Sequence, residues 1–181
     1  MTTTTFGYDA LQDRIWMRMH ELDQTVWLTR RMVVVILGPM LQAFENATPG
    51  EQGGARAPAR AALEHSLAIH ETAPGKTAPQ IRAGHVPPSA DSDPQTGLCS
   101  RISAQTTSQS IVMNFDTVSG PVVLRLSRQG MHLWLRGLVM VLKQTGWGMP
   151  QALPEWLDTG LMPPSIQALI DKSKPDDPAF G

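Results

Sequence analysis

The sequence predicts an α+β protein in which one ββα unit occurs twice. Three observations predict this class: two pairs of short strand-like segments, a long apolar run after each pair, and a central stretch rich in Pro and Gly. A lone ββα unit buries too little core to be stable. We therefore expect the two units to form one domain, a single antiparallel sheet with both helices on one face.

The first unit is predicted over residues 10–45, after a Thr-rich tail. Its first strand is indicated by alternate apolar residues, Ile15, Met17 and Met19. The β-branched and aromatic segment 25–28 predicts the second strand. Thr29 is a suitable N-cap, and the apolar run that ends at Phe44 predicts a helix. Pro39 is expected to kink or restart this helix.

Residues 46–97 change in character, since they contain seven prolines and six glycines. Such a segment has too little apolar surface to offset the entropy lost on ordering, so we predict a long disordered linker. Within it, residues 59–71 predict a short helix that docks on the main body or on a partner.

The second unit is predicted over residues 98–147. An edge strand near residues 98–104 precedes two clearer strands at 111–116 and 122–126, and Ser127 is a suitable N-cap. The run that follows predicts a helix that ends before Gly146.

The C-terminal segment, residues 148–181, is rich in Pro. Short helices are predicted there at 154–157 and 165–172.

The two units also match each other residue by residue. Leu28, Thr29 and Arg30 correspond to Leu126, Ser127 and Arg128. The first strands correspond as well, with Ile15, Met17 and Met19 against Ile111, Met113 and Phe115. A true duplication and a chance resemblance both explain the pattern, because any strand followed by a capped helix shares part of it.

The second predicted helix is apolar nearly all round, although a helix covered by one sheet needs only one apolar stripe. Burial against the sheet and the other helix explains this, and so does an interface with a second copy or another protein. The candidate interface residues are Trp134, Leu138, Met140 and Val141.

Three arginines lie at the predicted helix starts: Arg30, Arg31 and Arg128. The helix dipole disfavours cations there. Together with unbonded backbone N–H groups they predict an anion site, although arginines that point to solvent or pair with acids explain the pattern too. Strand arginines extend this basic face if they share a side: Arg14, Arg18 and Arg125.

The sequence contains no motif for phosphate binding, for zinc binding or for nucleophilic catalysis. His65 and His70 are five residues apart and do not share a helix face, so we predict no metal site. Cys99 is the single cysteine, and we expect a buried thiol. We assign no catalytic residue and no cofactor, and we expect no enzymatic activity.

Net charge and hydropathy limit the partners. The net charge of −1 gives no general attraction to nucleic acid, and the longest apolar run, residues 32–41, is too short to span a membrane. We expect a cytoplasmic protein that binds a protein partner or a second copy of itself. The leading hypothesis is a non-catalytic interaction module, such as an adaptor or an accessory or assembly subunit. Binding of nucleic acid or another anion is the alternative, and a small enzyme would need a deep polar pocket.

Overall fold

The computed structural model describes residues 3–47, 57–71, 97–148 and 153–158. In chain order the elements are β1 (Thr4–Asp9), β2 (Arg14–Met19), β3 (Gln24–Thr29), α1 (Arg30–Asn46), α2 (Ala57–Glu71), β4 (Cys99–Thr106), β5 (Ser110–Thr117), β6 (Gly120–Ser127), α3 (Arg128–Thr145) and α4 (Glu155–Asp158). The α+β class is confirmed. The order βββα occurs twice, so each repeated unit has one strand more than the ββα pattern.

The additional strand of the first unit is β1, which lies where the sequence predicts only a Thr-rich tail. It pairs antiparallel with β2 along its whole length. Phe6 turns inward and is 3% exposed, and Gly7 lies beneath the ring of Trp16, where a Cβ would overlap that ring. Phe6 thus joins this edge strand to the core, and Gly7 allows its close approach to Trp16.

The strands divide into two sheets, β1-β2-β3 and β4-β5-β6, rather than the single sheet expected. Among the described residues, one isolated parallel bridge links the two sheets, between Trp27 and Leu98, with the Trp27 N–H donating to the Gly97 carbonyl at 2.8 Å. Because the segment at Leu98 runs parallel to β3, an antiparallel ladder cannot continue from one sheet to the other.

The alternation predicted for the first strands is confirmed. The six matched apolar residues of β2 and β5 are all at most 1% exposed: Ile15, Met17, Met19, Ile111, Met113 and Phe115. They belong to one buried cluster, which contains residues of both units and of the helices.

Each long helix packs on the sheet of the other unit as well as on its own. α1 follows β3 but packs more on β4 than on β3, and α3, which follows β6, packs on β1 as well as on β5 and β6. Phe6 of β1 contacts Trp134 of α3 edge to face, with ring centroids 5.4 Å apart. The Trp134 indole N–H also donates to the Met17 sulfur at 3.1 Å. Neither unit therefore completes its own core.

The helix predicted at 59–71 is present as α2, which begins two residues earlier, at Ala57. It packs on both α1 and α3, and also on α4. The remainder of the predicted linker, residues 48–56 and 72–96, lies outside the described residues, as does the helix predicted at 165–172. α1 runs through Pro39 as one helix.

Candidate functional site

The two long helices begin in the same way, as the sequence predicts. The Thr29 Oγ1 accepts a hydrogen bond from the Met32 N–H at 3.4 Å, and the Ser127 Oγ accepts one from the Gly130 N–H at 3.1 Å. Both caps place an arginine at the first helical position. The direction in which these arginines extend decides whether they form an anion site.

Arg128 extends to the end of the opposite helix, α1. Its two terminal nitrogens donate to the carbonyls of Phe44 at 3.2 Å and Ala47 at 3.3 Å, and its guanidinium lies 4.2 Å from the centre of the Phe44 ring. The C-terminal carbonyls of a helix carry partial negative charge and favour a cation. An arginine that is unfavourable for its own helix is thus favourable for the other one.

Arg30 makes the matching contact at the opposite end of the helix pair. Its Nη2 donates at 3.1 Å to the carbonyl of Gly148, just beyond the end of α3. The 17 residues of α1 separate the Arg30 and Arg128 ends by roughly 25 Å. Arg31 is exposed beside Arg30. The structure therefore does not bring the three arginines of the predicted anion site together.

The predicted interface residues of α3 lie mainly inside the chain. Trp134, Leu138 and Val141 are at most 4% exposed, and only Met140, at 41%, reaches the surface. The first three are therefore not accessible to a partner. One side of α3 packs on β1 and another on α2. The second apolar side of this helix is thus covered by a helix from outside the repeated units.

The contact between α2 and α3 contains a polar cluster, which we call the polar junction: Glu64, His65, Arg128 and His132. The Arg128 Nε lies 2.6 Å from the Glu64 Oε2, and the His132 Nε2 lies 3.3 Å from the same oxygen. The Nδ1 atoms of His65 and His132 are 3.3 Å apart. Both histidines are 1% exposed.

Aromatic rings enclose the two histidines. His132 lies edge to face against Phe44, with centroids 4.7 Å apart, and His65 lies 5.2 Å from Trp156 of α4. The Trp156 indole N–H donates to the Glu45 Oε1 at 3.0 Å. These contacts tie α4 to the end of α1 and cover the junction.

Burial keeps both histidines neutral at neutral pH. Desolvation, followed by the nearby charges of His132 and Arg136, lowers the pKa of His65 from 6.5 to about 4. Desolvation, and then the Arg128 charge, lowers the pKa of His132 to about 3. A histidine with so low a pKa is a poor general base near pH 7.

The neutral histidines and the carboxylate define a chain of hydrogen bonds. An ionised Glu64 only accepts, so the His132 Nε2 carries the proton that points to it. The His132 Nδ1 is then an acceptor, and the His65 Nδ1–H donates to it. The junction is a hydrogen-bonded network that joins α2 to α3.

Other side chains that could react or bind a metal have structural roles as well. Cys99 is 3% exposed, its Sγ donates to the Arg101 carbonyl at 3.1 Å, and burial raises the pKa of its thiol to about 11. Within the described ranges, no group of three or more His, Cys, Asp or Glu side chains is arranged to hold a metal ion. No described helix combines the length and apolarity needed to cross a membrane.

Sequence reasoning assigned no role to the junction, although Glu64 and His65 lie in the helix predicted at 59–71, for which docking on the main body was one of two alternatives. A usable signal was nevertheless present. Ala57, Ala61, His65 and Ala68 are spaced by three or four residues and form one helix face, and all four are buried. A histidine within an alanine stripe indicates a docked helix rather than a solvated one.

Comparison with known proteins adds no identification: no protein family, no curated protein and no solved structure matches this chain.

Proposed function

We propose that this chain is a non-catalytic protein–protein interaction module, an adaptor or an accessory or assembly subunit of a larger complex. One observation carries the proposal. The two repeated units bury one side of α3 against β1, and its second apolar side is covered by α2, which belongs to neither unit. Without α2, the two repeated units would expose an apolar surface about the size of one helix. Such surfaces are a common site of protein association.

The chemistry of the polar junction supports a binding role over a catalytic one. Both histidines are neutral and enclosed by rings, and Glu64 is engaged by Arg128 at 2.6 Å. General acid–base catalysis needs a group with a pKa near the working pH, within reach of a substrate.

The arginines favour protein binding over the alternative of nucleic-acid or anion binding. Arg30 and Arg128 make contacts at opposite ends of α1, so they supply no joint phosphate site. We retain the cytoplasm as the predicted location, since the thiol of Cys99, in its reduced form, fits a reducing compartment.

Two variants of α2 test the proposal. Ala61 is fully buried against the helices, so Ala61→Arg disturbs the cover, whereas Ala59 is exposed on the same helix and Ala59→Arg is the matched control. We expect the tagged Ala61→Arg chain to capture at least threefold more of a stoichiometric partner, or of a second copy, than the Ala59→Arg chain, because the disturbed α2 exposes the surface that it covers. Cross-linking would place that partner on α2 or α3.

Light scattering after size-exclusion chromatography measures the assembly directly. We expect a mass above that of one chain, either for the purified protein or for its captured complex. A strictly monomeric chain with no co-purifying protein, in the wild type and both variants, would contradict the proposal.

A further inference from the structure

Among the described residues, the docked helix α2 has no counterpart of similar length after α3. The two βββα units account for every other described helix except the four-residue α4. α2 is joined to them through residues 48–56 and 72–96, and it packs on the helices rather than on either sheet. It thus covers a surface that the repeated units form without it.

The side of α2 that packs on α1 and α3 buries mostly small side chains. The side chains it buries are Ala57, Ala61, His65, Ser66 and Ala68. Its larger apolar residues, Leu63 and Leu67, remain 40% and 39% exposed. An alanine buries only one methyl group, so this contact stabilises the docked helix far less than leucine, methionine or tryptophan contacts stabilise α3.

Specificity at this contact comes from charge. Glu64 is the acid that α2 brings to the groove, and Arg128, whose side chain is 11% exposed, receives it at 2.6 Å. His132 contributes a second donor to the same carboxylate oxygen. If the helix had no acid at this position, the largely buried Arg128 would lose its carboxylate partner, which is costly.

We propose that α2 occupies a helix-binding groove, and that an amphipathic helix of a partner protein, with a carboxylate at the position of Glu64, displaces it. The groove is lined by α1, α3 and α4 around Arg128 and His132. A partner helix that keeps small residues where Ala61 and Ala68 are buried, retains the acid, and covers more apolar surface at the positions of Leu63 and Leu67, binds in place of α2. This inference rests on the proposed function and specifies the chemistry of the partner.

A labelled peptide of residues 57–71 tests whether the groove accepts a helix from outside. In fluorescence anisotropy, we expect the full-length Ala61→Arg chain to bind it at least tenfold more tightly than the Ala59→Arg control. In the control the attached α2 competes at high effective concentration. A peptide with Glu64→Lys should bind the Ala61→Arg chain at least tenfold more weakly than the unchanged peptide. Equal binding by two folded chains, or no effect of the Glu64 change, would overturn the proposal.

Hydrogen exchange of the wild-type chain keeps the proposal testable if Ala61→Arg fails to fold. We expect the amides of α2 to exchange at least tenfold faster than the buried amides of α3 at pH 7, because α2 opens without global unfolding. Equal protection of the two helices would show that α2 is an integral part of the core and would exclude displacement.

The two proposals fail in different ways. If the peptide binds in the groove but neither variant captures a protein, the groove is real and the interaction function is wrong. If a partner is captured equally by both variants and the peptide does not bind, the interaction lies elsewhere and the groove is excluded.

Discussion

Arg128 connects three helices through one side chain. It begins α3, caps the carbonyls of Phe44 and Ala47 at the end of α1, and pairs with Glu64 of α2. Removing one partner of a largely buried pair leaves the other charge without compensation, which costs more than the pair itself contributes.

We therefore expect Arg128→Gln to lower the free energy of unfolding by about 2–4 kcal/mol, as measured by urea denaturation. Arg31→Gln, which changes an exposed arginine at the start of α1, is the control and should alter it by less than about 0.5 kcal/mol. A similar loss in both variants would show that the contacts of Arg128 contribute nothing specific.

The two buried histidines make stability depend on pH. In the folded chain their pKa values are lowered to about 4 for His65 and about 3 for His132, whereas an unfolded chain binds these protons near pH 6.5. The unfolded state thus binds more protons below pH 6.5. Their contribution to stability is complete above that pH and is lost as the pH falls towards 4 and then 3.

We expect the free energy of unfolding to fall by roughly 2–5 kcal/mol from pH 7 to pH 4.5 through these two groups. The His65→Leu variant should show a shallower decrease than the wild type in urea titrations at each pH. His20→Gln, at an exposed position, is the matched control. An equal slope in His65→Leu and the wild type would contradict this assignment.

Among the elements, α1 contains an internal proline yet remains one helix from Arg30 to Asn46. Pro39 lacks the N–H that would bond to the carbonyl four residues earlier, and its ring crowds that carbonyl. Burial of Val33, Leu37, Met40 and Leu41 on both sides of the proline holds the helix together. Tertiary packing thus overrides a local signal for a break.

Since Pro39 is exposed, Pro39→Ala should restore the hydrogen bond without disturbing the core. We expect it to raise the free energy of unfolding by roughly 1–3 kcal/mol, measured by urea denaturation. Gln42→Ala changes an exposed residue of the same helix and should have a much smaller effect. Destabilisation by Pro39→Ala would mean that the proline fits a bend on which the core depends.

For the molecule as a whole, the packing of each long helix against both sheets makes folding a joint property of both units. Gly137 of α3 lies against Phe6 of β1, where an added Cβ would be 3.0 Å from the ring. A larger residue in the second unit should therefore disturb the first.

We expect Gly137→Val to lower the free energy of unfolding by roughly 1–3 kcal/mol. Hydrogen exchange should show equal losses of protection in β1 and in β6, because both sheets unfold in one transition. Met140→Ala, at an exposed position of α3, should leave both sheets protected. Loss of protection in one sheet alone would show that the units are independently stable.

The sequence by itself determined the local features. The alternation of apolar and polar residues predicted the inward faces of β2 and β5, and the hydroxyls of Thr29 and Ser127 indicated where the helices begin. These features depend on neighbouring residues and were therefore predictable. The same reasoning failed for Trp16, which the period assigns to the outer face of β2 with Arg18, but which is 2% exposed.

Tertiary structure alone decided where each helix packs. The spacing of apolar residues in α1 and α3 shows that they have apolar faces, but nothing local indicates that each also packs on the other unit's sheet. The destinations of Arg30 and Arg128, and the meeting of His65 with His132, join residues 67 or more positions apart. Such contacts depend on the path of the whole chain in space, which residue period and helix caps do not specify.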